Sequence, residues 1–171
     1  MSVLVVYYSF TGTCRRVAQD LCAQMSWPVG EIIETVPGRG TLRCVLDSVL
    51  RRRPAIAYRG PAPHGFDTVV LVSPVWLYRL AGPMRSFVKA NTAGLRQTAV
   101  VSVMGQRGGL NAAAEIGASL PRAPVFSTTV MAREVEDGSH ASRLRAFAKA
   151  VAAASDDVPP LRPSELSPAI A

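Results

Sequence analysis

Three hydroxyl side chains and a glycine fall within the run Ser9-Phe10-Thr11-Gly12-Thr13-Cys14. Hydroxyls spaced this closely suit an oxyanion, because each can donate one hydrogen bond to it. The flanking residues sharpen that reading. Val3 to Tyr8 is a continuous β-branched and aromatic stretch, as in a strand buried on both faces. Arg15 to Met25 switches to helical period, with Val17, Ala18, Leu21, Cys22 and Met25 on one stripe. A short loop between the two brings hydroxyls and free backbone N–H groups to a helix N-terminus, where the dipole adds partial positive charge. A phosphate is the natural occupant, although Ser, Thr and Gly also cap helices where nothing binds. Cys14 offers a second chemistry, because a thiol at a helix start beside Arg15 and Arg16 can be acidified and reactive. A phosphate in the same loop would oppose the thiolate by like charge.

The elements that must position this loop alternate along the chain. After the first helix, Trp27-Pro28-Val29-Gly30 breaks the pattern and Glu31 to Thr35 reads as a short second strand. Leu42, Val45, Leu46, Val49 and Leu50 mark a helix that ends near Arg51-Arg52-Arg53, before Pro54. Three arginines there complement the helix dipole, a plainer account than a nucleic-acid site. Pro54 to Gly65, with Gly60, Pro61 and Pro63, predicts irregular structure. Thr68 to Ser73 is the next buried strand, ended by Pro74. Gly82-Pro83 opens a helix with Met84, Phe87 and Val88 inward. Thr98 to Val103 is a fourth strand, Leu110 to Ser119 a small-residue helix, Pro124 to Met131 the last strand and Ser142 to Ala154 the last helix. Five strands alternating with helices predict an α/β fold, a parallel sheet covered on both faces. Residues 1–154 form the domain. The segment 155–171, with Pro159, Pro160, Pro163 and Pro168, reads as a Pro-rich C-terminal tail.

Composition narrows the class. At 171 residues, 49% hydrophobic and 18% charged, the chain predicts one globular domain with a substantial core. No signal peptide or membrane-length apolar run is visible. Cys14, Cys22 and Cys44 are odd in number and lack metal spacing, which suits a reduced, cytoplasmic protein. Net charge is +7, from 19 Lys and Arg against 12 Asp and Glu. That excess favours acidic partners.

The loop Ser9, Thr11, Gly12, Thr13 resembles the phosphate-binding loop of flavodoxins and related flavin mononucleotide (FMN) proteins, with Phe10 inside it and Cys14 where the family usually has Thr. The resemblance implies a flavodoxin-like three-layer sandwich, a five-stranded parallel sheet of order 2-1-3-4-5 with helices on both faces. Ligands of such sheets sit where strand order reverses, so the loops after strands one, three and four share one crevice. Pro74-Val75-Trp76-Leu77-Tyr78-Arg79 is similar to the second flavin-contacting loop, with Trp76 as the stacking residue and Tyr78 the alternative. Met104-Gly105-Gln106-Arg107-Gly108-Gly109 resembles the third, where glycines let the backbone approach the ring.

The family contains electron-shuttling flavodoxins and enzymes such as quinone reductases. Shuttles are usually acidic, whereas this chain is basic and carries Arg79 and Arg107 in the implied flavin loops. A cation about 6 Å from a reduced, anionic flavin is worth roughly 2–3 kcal/mol at an effective dielectric near 20. The resemblance therefore implies an oxidoreductase passing reducing equivalents from NAD(P)H to a small acceptor such as a quinone. A non-enzymatic shuttle serving a redox partner protein and a flavin-free scaffold are the alternatives. No catalytic residue, metal, nucleic acid or membrane span is expected, and whether the chain forms a homodimer is left open.

Overall fold

The computed structural model describes residues 2–35, 40, 46–47, 50–105 and 109–156. Strand β1 (Val3–Tyr8) is followed by helix α1 (Thr13–Met25), then β2 (Val29–Glu34), β3 (Ile56–Arg59), β4 (Thr68–Trp76) and β5 (Arg79–Leu80). Helix α2 (Gly82–Asn91), β6 (Gln97–Met104), α3 (Gly109–Gly117), β7 (Phe126–Met131), α4 (Ala132–Asp137) and α5 (Ala141–Asp156) complete the chain. The sheet order is β3-β2-β1-β4-β6-β7, with β5 paired to β4. The parallel strands β2-β1-β4-β6-β7 reproduce the expected order 2-1-3-4-5, and β3 and β5 add antiparallel partners, making seven strands.

Each buried strand feeds two cores, because successive side chains point to opposite faces. Val3, Val5, Tyr7, Val70, Val72, Val101 and Val103 pack with Val17 and Leu21 of α1 and Leu144, Phe147 and Val151 of α5. Leu4, Val6, Tyr8, Val69, Leu71 and Val100 pack with Met84, Phe87 and Val88 of α2 and Ala112 and Ile116 of α3. His140, itself buried, sits 2.9 Å from Asp20 Oδ2 and 2.9 Å from the Glu134 carbonyl, tying the start of α5 to α1.

Four sequence expectations need correction. The segment Pro54–Gly65 is not wholly irregular: Ile56–Arg59 pairs with β2, Tyr58 opposite Ile32, and Pro63–Gly65 forms a 3-10 turn. The Tyr58 ring lies over Gly30, where a Cβ would come 2.1 Å from its hydroxyl, and against Phe87 at 5.1 Å between centroids. Tertiary packing thus makes a strand from residues too few to show a period. Second, β4 does not stop at Ser73. Pairing with β1 ends at Tyr7↔Val72, while pairing with β6 continues through Pro74↔Val103 and Val75↔Met104. A strand with one side released accommodates a proline. Third, helix α4 was not foreseen. Fourth, Leu46 and Leu50, two of the apolar residues that mark the expected helix, are exposed, and Asp47 between them is buried. The remainder of the expected helix over 42–50, and the tail from 157 onward, lie outside the described residues; α5 itself runs to Asp156. Among the described residues no helix is long and apolar enough to cross a membrane.

Candidate functional site

The loop after β1 turns on Gly12, whose φ of 94° is left-handed backbone that other residues adopt at a cost. Gly12 is the N-cap of α1 and no side chain caps that end, so the first-turn N–H groups face outward without a side-chain partner. The Gly12 N–H donates to Ser9 Oγ at 3.1 Å, which curls the loop. Thr11 Oγ1 and Thr13 Oγ1 lie 3.2 Å apart. Hydroxyls and free N–H groups therefore converge on one point, as a phosphate requires. Cys14 is different: its side chain is buried in the α1 core, and burial pushes the thiol far above its ordinary pKa. It is an inert packing group, and what it can offer a ligand is its backbone N–H. Arg15 reaches Tyr7 Oη at 3.3 Å and Glu31 at 2.5 Å, so its charge is tied to β1 and β2.

The loop after β4 is a hairpin. Val75 pairs with Leu80 and Trp76 with Arg79, leaving Leu77 and Tyr78 at the turn with φ of 47° and 65°. Two positive φ values in a two-residue connection fit a type I′ turn, which normally takes Asn-Gly. Trp76 meets the first loop: its ring makes edge contacts with Phe10 at 5.7 Å and Tyr8 at 6.3 Å between centroids. Trp76 is half-buried, Tyr78 is half-exposed and Leu77 protrudes further. Arg79 lines an open cleft against α3, together with Arg51 and Glu115.

A buried ion pair holds this hairpin. Arg85 of α2 donates through Nε to Glu115 Oε1 at 2.6 Å, through Nη1 to the Arg52 carbonyl at 3.0 Å and through Nη2 to the Leu80 carbonyl at 2.9 Å. The Leu80 N–H donates to Glu115 Oε2 at 3.2 Å. Both backbone groups of Leu80 are therefore clamped by opposite charges. This pair is not among the residues singled out from the sequence. Its signal was a charge at Arg85 between the inward Met84 and Phe87, and another at Glu115 between Ala112 and Ile116. Opposite charges on the apolar stripes of two helices must meet or be expelled.

The third loop starts alongside the second, since Met104 pairs with Val75 and Met131 in register. Met104 is half-buried and Gly105 exposed; Gly109 opens α3. Gln106, Arg107 and Gly108 lie outside the described residues. Among those described, no group of acidic, His and Cys side chains could hold a metal ion.

Neither a protein-family model nor a curated protein matches the sequence. Solved structures do match the fold. A flavoprotein from Lactobacillus acidophilus NCFM, crystallised in complex with FMN, superposes with a TM-score of 0.67 at 15% identity, over 81% of this chain and 98% of its own. A Streptococcus pneumonia TIGR4 flavodoxin superposes with a TM-score of 0.57 at 17% identity, over 90% of this chain and 99% of its own. A mutant of the flavodoxin from Pseudomonas aeruginosa gives 0.52 at 14% identity, over 88% and 98%. At such identities the likeness is one of architecture: the chain has the flavodoxin-like fold.

Proposed function

We propose that the chain binds FMN at the C-terminal ends of β1, β4 and β6 and uses it as an oxidoreductase, passing reducing equivalents from NAD(P)H to a small acceptor such as a quinone. One observation carries the reading. The uncapped start of α1, with its left-handed Gly12 and converging Thr11 and Thr13 hydroxyls, opens beside the Trp76 ring, and Phe10 joins the two. A phosphate acceptor next to a flat apolar wall is the donor set an aromatic nucleotide phosphate needs. Ser9, Thr11, Thr13 and the first-turn N–H groups would hold the phosphate. Trp76 would cover one face of the ring, and the chain from Met104 to Gly109 would lie by its edge. When bound, FMN supplies hydride and single-electron chemistry; the protein's part is to orient it and exclude water. The flavoprotein from L. acidophilus, crystallised with FMN, has the same architecture and supports this assignment.

The purified protein should be yellow, with the visible absorption bands of flavin, and should oxidise NAD(P)H when a quinone is added. A colourless protein that takes up no FMN in a titration overturns the reading. A flavin-loaded protein that leaves NAD(P)H untouched but exchanges electrons with a reductase is a shuttle.

A further inference from the structure

We propose that the cleft between the β4–β5 hairpin and α3 is a second small-molecule site, one that takes the diphosphate group of a nucleotide. The cleft encloses about 640 Å³ and is open to solvent. That volume falls within the usual range for small ligands. Its charge balance is the first argument. Glu115 is satisfied by Arg85 and the Leu80 N–H, and the neighbouring Asp47 faces Arg52 at 3.7 Å. Arg51 and Arg79 line the same cleft, and neither side chain has a hydrogen bond or ion pair among the described residues. Two arginines bordering one cleft, with no carboxylate paired to either among the described residues, favour an anion there. Their planar forks match phosphate oxygens two at a time, and a diphosphate offers one phosphate to each.

Backbone strain is the second argument. Among the described residues, the non-glycine positions with positive φ are Ser26, Arg51, Leu77 and Tyr78. The last three all line this cleft. Such conformations persist only where the surroundings force them, and they gather at binding sites. Here Arg51, Leu77 and Tyr78 border one cleft, with Leu77 and the half-exposed Tyr78 as its apolar wall. A tyrosine face is a platform for a nucleobase, and the Asn111 amide can both donate to and accept from its edge. No residue of the loop Ser9 to Cys14 lines the cleft, so it is separate from the proposed FMN phosphate site. A nucleoside diphosphate is part of NAD(P)H, and to that extent the inference rests on the proposed redox function.

The test is calorimetric titration of the FMN-saturated protein with ADP, and with adenosine for comparison. ADP should bind saturably and adenosine at least tenfold more weakly. Arg79→Gln should weaken ADP binding roughly tenfold and the exposed Arg51→Gln roughly threefold. The double variant should retain only the affinity seen for adenosine. Neither side chain has a partner among the described residues, so these variants should melt as the parent does. Added salt should weaken ADP binding and leave adenosine unchanged. Equal affinities for ADP and adenosine, or an unchanged affinity in the double variant, overturn the proposal. If the protein takes up no FMN, ADP is titrated into the unloaded protein and into Thr13→Ala. Loss of binding in Thr13→Ala alone would place the anion in the β1 loop and sink the cleft. Loss in the arginine variants alone would keep the cleft while the FMN reading fails.

Discussion

The two walls of the candidate flavin site are built by different means. The loop Ser9–Cys14 is made from neighbours in sequence: its one internal side-chain bond to backbone, Gly12 N–H to Ser9 Oγ, spans three residues. The hairpin that presents Trp76 is held by contacts far apart in the chain, Arg85 to Glu115 across 30 residues and Leu80 to Glu115 across 35. The first wall is a local device laid on the end of a buried strand. The second is a strained turn pinned by a buried ion pair. Damage to the first should therefore change ligand binding and spare the fold, whereas damage to the second should reach both.

Removing the pin is the most drastic way to test that contrast. Arg85→Ala leaves the mostly buried Glu115 without its counter-charge, and loss of one partner of such a pair costs up to about 3 kcal/mol at the margin of an open cleft. We expect a matching fall in the denaturant midpoint, and a red shift of tryptophan emission as Trp76 loosens. Arg85→Lys keeps the charge but cannot reach Glu115 and the carbonyls of Arg52 and Leu80 together, so it should fall between. If Arg85→Ala melts with the parent, the hairpin does not depend on the pair and the contrast is void.

The local wall is tested by Thr11→Ala. A hydrogen bond to a charged group is worth about 1.5–3 kcal/mol, so FMN affinity should drop roughly ten- to a hundredfold. Stability without ligand should stay within about 0.5 kcal/mol. An unchanged FMN affinity would remove Thr11 from the site. Trp76→Ala should also lower the affinity and shift the flavin spectrum; if it does neither, Trp76 is not the residue that covers the ring.

A smaller effect, of opposite sign, is expected at the hairpin tip. Leu77→Asn with Tyr78→Gly supplies the residues a type I′ turn prefers and relieves two positive-φ positions. The exposed pair should gain about 1 kcal/mol in stability while weakening ADP binding at the cleft. A loss of stability would mean that the two side chains contribute packing that outweighs the strain of their positive φ.

The smallest effect lies far from both walls. Glu134 accepts from the Met131 N–H at 2.8 Å and from both Arg143 Nη atoms, at 2.9 and 3.0 Å. Arg143 first, then the Met131 N–H, holds its carboxyl below the ordinary carboxylate pKa. A depressed folded-state pKa contributes stability that is full above the unfolded value and lost as pH falls through the folded one. Melts recorded from neutral to acid pH should therefore show Glu134→Gln below the parent at neutral pH and level with it in acid. Arg143 is half-exposed, which limits the difference to at most about 1 kcal/mol. Parallel curves would show that the carboxylate does not sense its partners.

The sequence by itself determined the parallel core of the sheet and the loop after β1. Val3–Tyr8, Thr68–Ser73 and Thr98–Val103 are apolar on both faces, a pattern that only a strand covered on two sides tolerates. The Ser9–Thr13 signal was legible because its parts sit within one turn of each other. What only the tertiary structure decided is whatever depends on distant partners. Ile56–Arg59 became a strand because Tyr58 found Gly30 and Phe87. Pro74 stayed in β4 because β1 had already ended. Cys14, read as a thiol its arginine neighbours could acidify, is instead buried and kept neutral: it lies three and four residues before Val17 and Ala18, on the inward stripe of α1, and burial outweighs charges that are near only along the chain. Arg79 and Arg51, 28 residues apart in number, share one cleft because contacts distant in sequence bring their segments together: Leu80 is held to Glu115 of α3 and the Arg52 carbonyl to Arg85 of α2, and no local pattern encodes either.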